Sequence, residues 1–245
     1  MQRITIISLG WLGLALYKEL EALEYEVSGS YNTIKKNVKN EFKFDINKEF
    51  DKGVFPKLET LIINLPPSKI TNKENLHKLI FKNNNKQIIF ISSTSVYGMQ
   101  GDVDETTPPN PETKNGERLL EWENFIQDNV KNYQIIRSAG QFGAGRHPAK
   151  FLSGRDNIPG GNKCINVISQ KDLLKIILKS IKSQNSQIIN ATNTNHPTKE
   201  EYYTQCCKNM DLPLPNFIYD EKNEYKRIHT IHKDYEINNI LTKGF

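Results

Sequence analysis

Two short segments combine residue type and spacing in a way that can do chemistry. In Ile6-Ile7-Ser8-Leu9-Gly10-Trp11-Leu12-Gly13 an apolar run ends in a small-residue turn and passes directly into a helical pattern. The spacing matches the fingerprint G-x-G-x-x-G, with Ser8 in the first glycine position. Gly10 lets a backbone approach a pyrophosphate, Gly13 lets the helix pack close on the strand, and the helix N-terminus then faces the anion. A dinucleotide held at Gly10, Trp11, Leu12 and Gly13 is therefore expected, with an ordinary strand-to-helix turn as the plainer alternative. In Ile91-Ser92-Ser93-Thr94-Ser95-Val96-Tyr97-Gly98 a run of hydroxyls closes an apolar strand. Open α/β sheets bind ligands beyond the carboxyl ends of their strands, so such hydroxyls face a substrate unless they merely satisfy backbone groups.

The kind of dinucleotide is read about 20 residues beyond the turn, where NAD-specific folds place an acid on the ribose. Here stand Gly29-Ser30-Tyr31-Asn32-Thr33, then Lys35 and Lys36. No carboxylate repels a 2′-phosphate, and Ser30, Asn32 and the two lysines can accept one. NADP is expected, NAD being the alternative. Asp45, after a third strand, is expected beside the adenine edge.

The elements that must position these residues alternate strand and helix. Strands are expected at 4–7, 26–30, 42–46, 60–65, 87–91, 133–137 and 188–191, and helices at 14–23, 73–81, 116–128 and 170–182. Continuous apolar strands between amphipathic helices imply a parallel sheet covered on both faces. The fold class is α/β, a Rossmann-type doubly wound parallel sheet with a small C-terminal substrate-binding portion. The expected division is a dinucleotide-binding domain at 1–165 and a segment at 166–245 that completes the fold.

Composition excludes other classes. The 245 residues carry a net charge of +5 from scattered lysines, with no basic stripe and no aromatic interleaving, so nucleic acid is not expected. Cys164, Cys206 and Cys207 form neither a disulfide framework nor a zinc spacing. Arg3 and the apolar run 4–16 resemble a leader, but no small-residue cleavage site follows and Lys18, Glu19 and Glu21 come at once. Thirteen residues are too few to cross a bilayer. A cytoplasmic protein without a membrane partner is expected.

Over nearly its whole length the chain resembles the extended short-chain dehydrogenase/reductase superfamily, especially atypical members similar to nucleoside-diphosphate-sugar epimerases and NAD-dependent epimerase/dehydratases. The resemblance runs through the Gly10/Gly13 turn, Asp45-Ile46, Asn64-Leu65-Pro66, the serine strand and Arg137 through Pro148. It continues through Asn166 to Asp172 and Asn190-Ala191-Thr192. It implies an oxidoreductase or epimerase-like enzyme, with Leu65 and Pro66 also at the cofactor. Ser93 would hydrogen-bond the reacting oxygen, with Thr94 beside it, and the substrate would be a small nucleotide-sugar-like or other anionic compound. Relatives often pair as homodimers through helices following the fourth and fifth strands.

The chain departs from that pattern where proton transfer is done. A Tyr-x-x-x-Lys pair is due on the helix after the serine strand, the lysine lowering the tyrosine pKa while hydride moves. Counted back from Glu121, Thr113 and Glu117 occupy those positions. Three repairs are open: Tyr97 as acid/base beside Lys114 or Arg118, a chemistry that needs no base, or nucleotide binding without turnover as a sensor or regulatory protein. On the substrate side, Arg146 matches a phosphate or carboxylate with two parallel hydrogen bonds, and Arg155 is a second candidate. His147, expected exposed, has a side chain that titrates near neutrality. Ser169 and Asp172 stand where relatives carry His-x-x-Asp. His229, His232 and Asp234 fall short of a metal-ligand set, so no metal is expected.

Overall fold

In this computed structural model, which describes residues 2–238 apart from 51, 85, 100, 144, 184 and 222–224, the central apolar runs are buried on both faces. Ile4 to Ile7, Leu61 to Ile63 and Ile88 to Phe90 are at most 1% exposed. Such strands survive only in the middle of a covered parallel sheet.

In chain order the elements are β1 (Arg3–Ile7), α1 (Trp11–Ala22), β2 (Glu26–Tyr31), β3 (Glu41–Lys43), β4 (Thr60–Ile63), α2 (Lys73–Lys82) and β5 (Gln87–Ser93). Then come β6 (Gly101–Val103), α3 (Lys114–Asn129), β7 (Asn132–Ser138), β8 (Gly140–Phe142), α4 (Ala149–Leu152) and β9 (Ile158–Pro159). β10 (Val167–Ser169), α5 (Gln170–Lys182), β11 (Gln187–Ala191), α6 (Lys199–Asn209), β12 (Phe217–Ile218) and β13 (Lys226–Ile228) complete the chain. The large sheet has seven strands in the order β11-β7-β5-β4-β1-β2-β3. β1 pairs in parallel with β2 on one side (Ile4 opposite Val27) and with β4 on the other (Ile4 opposite Thr60). Strand order reverses at β1, which opens a crevice at the carboxyl ends of β1 and β4.

The chain divides into two compact units built from interleaved segments. Met1–Val96, Pro111–Arg137 and Ile177–Ile188 form the first; Tyr97–Asn110, Ser138–Ile176 and Ile189–Phe245 form the second. Later segments return to complete the sheet, so spatial units cannot follow sequence halves.

The first unit's helices form for legible reasons. α2 begins at Asn72, whose side chain accepts the Asn75 N–H at 3.3 Å, and buries Leu76, Leu79 and Ile80. α3 buries Leu119, Trp122, Glu123 and Ile126, a stripe at helical spacing. Each buried leucine or isoleucine contributes about 2 kcal/mol. Phe42, Phe44, Phe50 and Phe55 close the β3 side edge-on, with centroids 5.0 to 6.0 Å apart. The strand expected at 42–46 is shorter than its apolar pattern. Asp45 ends it, its carboxylate accepting the Asn47 N–H at 3.0 Å and its carbonyl the Lys48 N–H at 3.1 Å.

The second unit contains three two-stranded parallel sheets among the described residues: β10 with β8, β12 with β9, and β13 with β6. Its core gathers Phe142, Ala149, Val167, Tyr202, Cys206 and Cys207. α6, absent from the sequence expectation, starts in a reciprocal cap. Thr198 Oγ1 accepts the Glu201 N–H at 3.2 Å, and Glu201 accepts the Thr198 N–H at 2.9 Å. Among the described residues no helix is long and apolar enough to cross a membrane.

Candidate functional site

The turn after β1 is held from β2. Ser30 Oγ accepts the Ser8 N–H at 2.9 Å, and the Ser30 carbonyl accepts the Leu9 N–H at 2.7 Å. Ser8, standing where the fingerprint has glycine, has φ +80°. For a residue with a Cβ, that left-handed backbone costs about 1–2 kcal/mol. Gly13 is required sterically, because a Cβ there would lie 2.1 Å from the Ser8 carbonyl oxygen. α1 starts at Gly10 with no side-chain cap and no acidic residue in its first turn. Its positive end is therefore not offset by a carboxylate of its own.

Beyond this turn lies a cleft of about 460 Å³. Gly10, Ser30, Asn32, Leu65 and Pro66, named from the sequence, line it. Trp11, Leu12, Gly13 and Asp45 do not. Leu12 and Gly13 are buried in the packing of α1 on the sheet, leaving only backbone for a ligand. Asp45 is committed to its own turn. Ser30 is 2% exposed and holds Ser8, so its first task is the turn.

Several wall residues were not expected. Ile34, 70% exposed, joins Phe44 and Ile46 in an apolar lining, and Lys69 adds a second cation to the Lys36 already named from the sequence, with no carboxylate among the lining residues. Asn47 ties the loops after β3 and β4 together. Its Nδ2 donates to the Lys69 carbonyl at 2.9 Å, and its Oδ1 accepts the Thr71 N–H at 2.8 Å. Lys69 had a sequence signal, since Pro67 opens a short 3-10 turn, Pro67–Lys69, at the end of β4. Asn47 had none, because its partners lie 22 to 25 residues away.

At the end of β5, Ser93 is half-buried and accepts the Ser95 N–H at 3.1 Å, which engages an oxygen lone pair and not its proton. Thr94, expected at the substrate, is 8% exposed and opens the 3-10 turn Thr94–Val96. Ser92 points the other way. Its hydroxyl donates to Glu123 Oε1 at 2.5 Å, and Arg137 Nη2 donates to Glu123 Oε2 at 2.7 Å. Glu123 and Arg137 are at most 3% exposed, so this pair is a buried ionic link between α3 and β7 next to the serine strand.

The helix that should carry Tyr-x-x-x-Lys begins with the departures themselves. Thr113 is the N-cap of α3, its Oγ1 accepting the Gly116 N–H at 3.1 Å, and Glu117 is the acid of the first turn. A capping oxygen and an early carboxylate are what a helix N-terminus prefers. Glu121, from which the spacing was counted, is a surface residue paired with Lys73, while Glu123 is the buried acid. Counting from Glu123 instead gives Asn115 and Leu119, and α3 contains no tyrosine in any register. Gly116 marks close packing of α3 on the serine turn, since a Cβ there would lie 2.4 Å from the Ser95 carbonyl.

In the second unit, Tyr97 is 1% exposed. Its hydroxyl lies 3.0 Å from the Asp104 carbonyl and 3.2 Å from Asn190 Oδ1. The phenol, named from the sequence as a candidate acid/base, is packed rather than presented. Arg146 is exposed in a tight loop where its backbone exchanges hydrogen bonds with Gly143 at 2.7 and 2.8 Å, and Arg155 is exposed as well. His147 is buried, not exposed. Ala149 N–H donates to its Nδ1 at 3.2 Å, so the ring proton sits on Nε2, 3.2 Å from the Tyr202 hydroxyl. Burial, reinforced by Lys150, lowers its pKa to about 4, so it is neutral at pH 7. Burial also pushes the Cys206 thiol up to about 12 and raises Cys207, which leaves both inert as nucleophiles. Asp172 accepts from Ser169 Oγ at 2.6 Å, a local cap of α5. His229 pairs with Asp102 at 2.9 Å while the His232 ring packs on Tyr235. No metal-binding group of three or more His, Cys, Asp or Glu is present among the described residues.

No family model matches the chain. Protein YeeZ of Escherichia coli strain K12 is 29% identical over 239 residues, covering 89% of this chain and 87% of its own. UDP-glucuronic acid 4-epimerase from Bacillus cereus, solved in complex with NAD, superposes with a TM-score of 0.81 at 16% identity, over 99% of this chain and 96% of that one. dTDP-4-dehydrorhamnose reductase from Bacillus anthracis, in complex with NADP, gives 0.72 at 16% identity, over 93% and 89%. With its seven-stranded sheet in this strand order, the chain has the Rossmann-type fold of the epimerase and reductase structures on which it superposes.

Proposed function

We propose that this protein binds NADP(H) in the first-unit cleft and acts as an oxidoreductase or epimerase-like enzyme on a small anionic, nucleotide-sugar-like compound. One observation carries the reading. The cleft at the uncapped start of α1 holds Lys36 and Lys69 and no carboxylate. Backbone N–H groups of the Gly10 turn would receive the pyrophosphate, Ile34, Phe44 and Ile46 would flank the adenine, and the two lysines would take the 2′-phosphate. When bound, the nicotinamide would supply hydride chemistry. Ser93 would keep its proton for the substrate oxygen.

The absence of tyrosine from α3 supports a second reading, a dinucleotide-binding regulatory protein without turnover. Calorimetric titration with NADPH and NADH separately tests the first claim, with tighter NADPH binding expected. Equal affinity would remove the 2′-phosphate assignment, and no binding would remove the cofactor. If turnover exists, Ser93→Ala lowers its rate and leaves cofactor affinity intact. A wild-type protein that binds NADPH but exchanges no hydride across a panel of nucleotide sugars would favour the regulatory reading.

A further inference from the structure

We infer that Ser8 and Ser30 act as one coupled device that replaces the missing first glycine of the fingerprint, and that Ser30 is a positioning residue for the cofactor turn rather than a reader of the cofactor's 2′-position. The inference rests on the dinucleotide reading of the cleft and deepens it.

Ser8 sits at φ +80°, where glycine is at ease and a side chain is strained. A residue held there will leave unless its surroundings over-determine it. Three contacts do so. Ser30 Oγ accepts the Ser8 N–H at 2.9 Å, and the Ser30 carbonyl accepts the next N–H, of Leu9, at 2.7 Å. Gly13 leaves just enough space for the Ser8 carbonyl, since a Cβ there would stand 2.1 Å from it. Relaxation of Ser8 would swing its peptide groups, and with them the Leu9–Gly10 backbone that starts α1. Ser30 itself is 2% exposed, so its hydroxyl, which accepts the Ser8 N–H, presents almost no surface to the cleft. A serine placed so acts on a ligand through the turn it holds.

Coupling makes a sharp demand. With glycine at position 8 the left-handed backbone is intrinsically allowed, so the Ser30 hydroxyl becomes less important. The test is a double-mutant cycle over wild type, Ser8→Gly, Ser30→Ala and the double variant, read by calorimetry with NADPH and NADH and by thermal melting without ligand. Ser30→Ala in the natural background is expected to weaken both cofactors equally, by about fivefold, the worth of one hydrogen bond. In the Ser8→Gly background the same change is expected to weaken them less than twofold. Ser8→Gly alone should raise Tm by about 2–4 °C. Selective loss of NADPH in Ser30→Ala would overturn the inference, because Ser30 would then be reading the 2′-phosphate. Equal losses in both backgrounds, in Tm as in affinity, would also overturn it. If wild type binds neither cofactor, the dinucleotide reading falls, and the melting cycle still decides whether the serines are coupled.

Discussion

In the first unit the walls of the cleft grow from strands of three to six residues joined in one continuous backbone ladder, whereas in the second, short two-stranded pairs are supplemented by single side chains that join distant segments. Glu105 alone accepts from the Asn190 N–H at 2.7 Å, the Thr230 hydroxyl at 2.6 Å and the Ile231 N–H at 2.9 Å. Asn166 likewise donates to the Lys226 carbonyl and accepts the Ile228 N–H, both at 2.8 Å. A ladder spreads its energy over many equivalent bonds and tolerates losing one. A side-chain hub concentrates it, and removing the hub leaves several buried groups unsatisfied at once. The first unit has side-chain hubs too, Asn47 among them, and its buried ionic one, the Ser92–Glu123–Arg137 link, bounds how far the contrast holds.

The largest effect is expected there. Glu123→Gln leaves the Arg137 charge buried without its counter-charge and should cost about 3–5 kcal/mol. A fall in the urea midpoint checks it; a loss under about 1 kcal/mol would mean that the ladders alone hold the first unit. Next comes the steric limit of the turn. Gly13→Asp drives a side chain into the Ser8 carbonyl and a negative charge toward the phosphates, so NADPH affinity should fall more than about a hundredfold, equivalent to about 3 kcal/mol.

Acid separates the units by chemistry. His147 is held neutral by burial with its pKa near 4, and His196 is likewise lowered to about 4 by burial. The unfolded chain takes up these protons near pH 6.5, so the stability of the second unit is complete above that value and falls as pH drops toward 4. Each histidine contributes up to about 3 kcal/mol of loss over this window. His147→Gln should remove roughly half of the pH slope in thermal melts from pH 7 to 4.5. An unchanged slope would mean that His147 is not the group titrating. The smallest effect belongs to the cleft cations. Lys36→Ala with Lys69→Ala should weaken NADPH about tenfold and NADH little, since exposed charges act through screened water. Equal effects on both would place the lysines at the shared pyrophosphate.

Helices and strands with clear apolar periodicity were legible in the sequence. α5 falls at 170–182 as its pattern predicts, and β5 and β7 differ from expectation only at their ends. β3 was misjudged because Asp45 and Asn47 form a local turn inside an apolar run, and the side-chain bond wins over strand propensity there. α6 was missed because its buried residues, Tyr202, Cys206 and Cys207, are not the aliphatic kind that announces a helix.

The sequence by itself determined the parallel α/β architecture and the glycine turn, because apolar periodicity and residue type within short stretches of chain announce both. It also determined that the helix after the serine strand has no tyrosine for proton transfer. Only the tertiary structure decided that Tyr97 and His147 are buried, that Lys69 and Asn47 belong to the cleft, and that Ser30 holds Ser8. Each of those facts depends on which distant segment lies opposite a given side chain, and composition and periodicity carry no record of that pairing.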